Sequence, residues 1–108
     1  MIAITQFTAA GGDFADRARE ALEALAQRPG YLRGTVARAT DDDSAWLLLT
    51  EWANVGSYRR ALGAYDVRLR ATPLLSVAHD VPSAFEELLE VAPGGATVAH
   101  DSDREPDA

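Results

Sequence analysis

The chain has no cysteine and no lysine among its 108 residues. Without thiols, disulfides and thiolate metal sites are excluded, and without an ε-amine so is a Schiff-base mechanism. No apolar run is long enough to cross a bilayer, and the leading MIAITQF lacks the basic head of a secretory signal. The expected location is the cytoplasm. Positive charge is scarce too: 10 arginines face 17 acidic residues, for a net charge of −7. A nucleic-acid partner needs a basic face, so that class is excluded. Part of the acidity sits at the C-terminal end, where Asp101, Asp103, Glu105 and Asp107 outnumber Arg104.

What is present is the composition of a single globular domain, with 47% hydrophobic and 25% charged residues. MIAITQFT alternates and predicts a first strand, broken by AAGG. Asp13 is placed to cap a helix running to about Gln27, with Phe14, Ala18, Leu22 and Leu25 on one face. Arg28-Pro29-Gly30 stops it. YLRGTVARA (31–39) and AWLLLTEW (45–52) flank the polar turn TDDDS and predict an antiparallel hairpin. After a cap at Asn54, the spacing of Val55, Tyr58, Leu62, Tyr65 and Leu69 predicts one amphipathic helix that continues past Gly63. ATPLLSVAHDVPS (71–83) reads as an irregular connection with at most one helical turn. AFEELLEVA (84–92) fits a short helix by its glutamates and a strand by its alternation. From Pro93 the chain reads as an acidic, flexible tail, giving a domain over 1–92 and a tail over 93–108.

The third strand is apolar on both sides: Trp46, Leu48 and Trp52 in one row, Ala45, Leu47 and Leu49 in the other. Helices can cover one face. The other calls for a second sheet, so a homodimer joined through sheet faces is expected.

PGYLRGTVARA, a strand ending LLTEW, and SYRRALGAYDVRL together resemble the antibiotic biosynthesis monooxygenase family, over about residues 2–92. The resemblance implies a ferredoxin-like βαββαβ unit with an antiparallel sheet, an α+β fold that pairs into a dimeric α/β barrel. It reads the ambiguous 84–92 segment as a strand. It also implies a small aromatic substrate and O2, no cofactor, and phenol-to-quinone oxidation in part of the family. By that resemblance Trp52 and Tyr58 are the candidate catalytic residues. Leu48 stands where quinone-forming members carry a substrate-binding asparagine. Haem-degrading members use an asparagine, a tryptophan and a histidine; the matching stretches here offer Thr5 or Gln6, Ala61, and Arg70 or Ala71. A haem ligand is therefore missing.

Each candidate also has a plainer reading. Trp52 either walls a flat ligand or seals the core, and Tyr58 and Tyr65 are either substrate contacts or members of a core stripe. Arg68 and Arg70 could draw an anionic substrate, while Arg59 and Arg60 read as solvated. His79, beside Asp80, is a candidate base near neutral pH or an ordinary loop histidine. Trp46, roughly 20 Å along the strand from Trp52 by strand rise, reads as structural. His100 belongs to the tail and is set aside. Asp41–Asp43 read as a solvated turn, and neither AAGG nor APGG has phosphate-loop spacing. Besides the oxygenase, two functions remain open: a non-catalytic binding or accessory protein, and a cyclase or isomerase using the same pocket.

Overall fold

The computed structural model describes residues 1–10, 12–102 and 104. Gly11 of the AAGG break, Asp103, and Glu105 and Asp107 of the acidic end lie outside them. Strand β1 (Ile2–Thr8) leads into helix α1 (Phe14–Ala26), then β2 (Tyr31–Arg38) and β3 (Ala45–Trp52). Three short helices follow, α2 (Val55–Leu62), α3 (Tyr65–Arg70) and α4 (Thr72–Leu75), before β4 (Ala84–Phe85). The sheet runs β2-β3-β1-β4 with every pairing antiparallel, which is the ferredoxin-like order of a βαββαβ chain. A single copy gives an open four-stranded sheet; the barrel implied by the resemblance needs a second.

The β2–β3 hairpin forms where the alternation predicts it. Its turn is tied by Asp42, whose Oδ1 accepts from the Ser44 amide at 2.9 Å and the Ser44 hydroxyl at 2.7 Å. These bonds hold the Asp42 carboxyl below its ordinary range. Helix α1 buries Phe14, Ala18, Ala21, Ala24 and Leu25. Asp13 does not cap it through its side chain; its carbonyl instead accepts the Arg17 amide at 3.1 Å. Asn54 does cap α2: its backbone is extended, and Oδ1 accepts from the Ser57 amide at 2.8 Å and hydroxyl at 2.9 Å.

The single helix expected over 55–69 is broken. α2 ends at Gly63, and Ala64 turns extended before α3 begins. Rotation at that break takes Tyr65 and Leu69 out of the stripe, leaving them 77% and 62% exposed. The buried contacts of this region come from Ser57, Ala61, Val67, Ala71 and Leu74. Ala61, Val67, Ala71 and Leu74 join the core cluster that also holds the buried alanines of α1.

The 84–92 segment forms no helix; it holds two short strands in place of the one that the resemblance implies, and only β4 joins the sheet, pairing Ile2 with Phe85 and Ala3 with Ala84. Residues Leu89–Val91 form β5, which pairs with β6 (Thr97–Ala99) as a separate hairpin. Gly94 and Gly95 turn it at φ +88° and +97°. The expected boundary at Ala92 thus falls at the turn of a hairpin. Among the described residues, no helix is long and apolar enough to cross a membrane.

The two faces of the sheet differ. Ala3, Phe7, Leu48, Thr50 and Trp52 are buried beneath the helices. Trp46 stands on the same face at the far end of β3, against Phe14 at 5.0 Å between ring centres, with Arg38 over its ring. On the opposite face Ile2, Ile4, Ala37, Leu47 and Leu49 are only half-buried. The Arg33–Glu51 ion pair, 3.6 Å, lies on that same face.

Candidate functional site

The end of β3 assembles an aromatic group from three elements. Trp52, 1% exposed, meets Tyr31 of β2 edge to face at 5.4 Å and Tyr58 of α2 at 5.6 Å. Its indole Nε1 donates to Thr50 Oγ1 at 2.8 Å, which satisfies two buried polar groups at once. Burial raises the Tyr58 phenol above its ordinary value, and Tyr31 shifts the same way for the same reason. Both therefore stay neutral donors at physiological pH.

Beside this group lies a partly open cleft of about 720 Å³. That volume is within the range of small-molecule sites. Trp52, almost wholly buried, touches its inner edge, and Leu32, Val55, Ala84 and Phe85 supply the apolar surface. Polar groups come from Asn54, Arg59, Glu86, Glu87, His100, Asp101 and Arg104. The walls are drawn from the bulge of β2, the first turn of α2, β4 and the base of the C-terminal hairpin.

Of the site residues expected from sequence, the structure brings together Trp52 and Tyr58, with Leu48 two positions from Thr50 on the same buried face. Tyr58 packs on Trp52 without lining the cleft. Tyr65 and Arg68 are exposed elsewhere. Arg70 turns toward α1, 3.7 Å from Glu20 and 3.5 Å from Glu23. His79 sits at the other end of β1, where its Nε2 meets Thr8 Oγ1 at 2.8 Å. Arg59, read as solvated, lines the cleft.

Sequence reasoning passed over Tyr31, Thr50 and His100. The first two were detectable in principle, since the hairpin register sets Tyr31 against Trp52 and Thr50 on the Trp52 side of its strand. His100 carried no such signal. Of the positions matched to haem-binding residues, Ala61 is buried in the core and Gln6 is exposed. Among the described residues, no three His, Asp or Glu side chains converge to hold a metal ion.

Residues 1–68 match the family model described as antibiotic biosynthesis monooxygenase. The chain is 26% identical over 96 residues to deoxynogalonate monooxygenase of Streptomyces nogalater, spanning 87% of this chain and 81% of that protein. It also superposes on the crystal structure of SnoaB, a cofactor-independent oxygenase from the same organism, with a TM-score of 0.63 and 25% identity. That match covers 71% of this chain and 81% of that one. A conserved protein of Methanosarcina mazei, 16% identical, superposes with a TM-score of 0.61 over 77% of this chain and 84% of its own, which shows the shared fold. With the family model covering well over half of its length, the chain belongs to the antibiotic biosynthesis monooxygenase family.

Proposed function

We infer that this protein oxidises a phenolic, polycyclic small molecule with O2 and without a cofactor, binding it in the cleft beside Trp52. The cleft carries this reading: an apolar lining that includes the exposed Phe85 ring and Leu32, around about 720 Å³, in a chain 26% identical to a monooxygenase. Triplet O2 reacts poorly with closed-shell organics, but an electron-rich phenolate or carbanion can pass it one electron. The protein has then to bind the flat substrate, favour its ionised form and keep water out. One oxygen atom enters a ring methylene to give the quinone carbonyl; the other leaves as water with the two displaced hydrogens. Trp52, 1% exposed, lies at the inner edge of the cleft and fixes the position of its floor rather than presenting a broad face to the ligand. Tyr58 stands behind it and holds its ring from the helix side, a positioning role rather than a direct contact.

Purified protein incubated with anthrones and polycyclic hydroquinones in air is expected to take up O2 in step with quinone formation. No rate above buffer across such a panel removes the oxygenase reading.

The same reading includes a homodimer through the open sheet face. Ile2, Ile4, Leu47 and Leu49 lie next to one another there and are left only half-buried by the described residues. Sedimentation velocity at micromolar concentration should show a dimer; monomer alone overturns it.

One observation favours a second function. Leu48, 3% exposed, stands where the resemblance implies a substrate-binding asparagine, and it offers no hydrogen bond to an oxygen of the ligand. A protein that binds aromatic ligands but takes up no O2 is a binding module of this family.

A further inference from the structure

The C-terminal hairpin carries a pair of titratable groups that the aromatic site does not use. Glu90 on β5 pairs with Val98 on β6, so His100, two residues on, lies diagonally across from it. The His100 Nε2 meets Glu90 Oε2 at 2.6 Å, and the His100 amide donates to the Leu88 carbonyl at 3.0 Å. His100 also lines the cleft beside Trp52.

We propose that His100, oriented by Glu90, is the general base of this cleft, and that the cleft takes weakly acidic phenols and ionises them. This rests on reading the cleft as an aromatic site. The chemistry follows from the pair. A carboxylate only accepts hydrogen bonds, so the hydrogen between the two groups is on Nε2. In a neutral imidazole that leaves the lone pair on Nδ1, the nitrogen able to take a proton. The substrate O–H gives its proton to Nδ1, the phenolate keeps the electron pair, and the resulting imidazolium faces the Glu90 carboxylate. This is the logic of a base held by a third group, with a carboxylate stabilising the charged imidazole. The His100 side chain is 44% exposed, which lets the proton pass on to solvent. The cleft also contains Arg59 and Arg104, whose charge favours a phenolate, and the opposing carboxylates of Glu86, Glu87 and Asp101. Glu87 lies 3.4 Å from the Met1 amino group.

The alternative is a clamp: the pair merely fastens the hairpin. The two are separated with a hydroxyanthraquinone dye whose colour reports its ionisation, at a pH where the free dye is neutral. Equilibrium dialysis measures its occupancy separately. The parent chain should bind the dye as phenolate. His100→Gln should bind it at similar occupancy but with the phenolate-to-phenol ratio reduced roughly tenfold, the change that a one-unit rise in the bound dye's apparent pKa produces. Glu90→Gln should reduce it by less. The inference is overturned if the parent chain fails to bind the dye or binds it neutral, or if His100→Gln ionises it as well as the parent. Turnover is not needed for this result. A chain that ionises the dye but takes up no O2 keeps the base and loses the oxygenase; O2 uptake with an unchanged pH profile in His100→Gln does the reverse.

Discussion

Replacing Trp52 with alanine should produce one of the largest single losses of stability in this protein. The side chain is 1% exposed and packs on two tyrosine rings, so truncation leaves a cavity that neither the strand nor α2 can easily close. Large aromatic-to-alanine changes in a core cost about 3–5 kcal/mol. The change also strips Thr50, 3% exposed, of the indole hydrogen bond at 2.8 Å. At about 4–8 °C per kcal/mol for a domain near this size, the midpoint should fall by about 12–40 °C. Thermal unfolding followed by far-UV circular dichroism measures it. Trp52→Phe keeps most of the packing and loses mainly the N–H bond, so it should cost only about 1–2 kcal/mol. That variant stays folded, so weaker dye retention in the cleft then reports the position of its floor and not unfolding. A Trp52→Ala protein melting within a few degrees of the parent would contradict the packing described here.

Local signals carried the first half of the chain well. The β2–β3 hairpin was legible because two alternating runs flank a turn whose Asp42 ties it with its own side chain. The two greasy rows of AWLLLTEW likewise resolve into a helix-covered face and a half-buried one. After Asn54 the signal failed for a definable reason. Counting large apolar residues at one unbroken helical spacing puts Tyr65 and Leu69 in a core stripe, whereas the buried positions are Ser57, Ala61 and Ala71, too small to stand out in such a pattern, and Val67, which lies off its spacing. Gly63 alone does not announce a break, because a glycine inside a helix costs only about 1 kcal/mol. The cleft was beyond any local reading. Its walls come from Leu32, Trp52–Val55, Ala84–Glu87 and His100, which only the sheet topology and the C-terminal hairpin bring together. Composition made residues past Pro93 look like a tail, yet Gly94 and Gly95 are turn glycines, and the strand beyond them leads directly into the one histidine at the cleft.

Gly30→Ala is the second change expected to be severe, and it links the backbone to the site. Gly30 has φ +90°, a region costly for any residue with a Cβ. An added Cβ would also clash with both Cβ and Oγ of Ser57, which is buried on the first turn of α2. Neither atom can swing away: the Ser57 Cβ is fixed by the helix, and its hydroxyl donates to the Asn54 cap at 2.9 Å. The Gly30 carbonyl meanwhile accepts the Ala53 amide at 2.8 Å, holding the end of β3 against the start of β2. Alanine therefore forces α2 outward, and Tyr58, the residue after Ser57, moves with it off the Trp52 ring. Backbone strain of about 1–3 kcal/mol adds to overpacking of about 1–3 kcal/mol. Urea unfolding should show a loss of about 2–6 kcal/mol with an unchanged slope, as for a change in the folded state alone. Adding Ser57→Gly removes the obstructing Cβ but not the strain at φ +90°. The double variant should therefore recover stability relative to additivity, while remaining below Ser57→Gly alone. If the two changes are simply additive, the close approach of β2 and α2 at Gly30 is not what positions Tyr58 against Trp52.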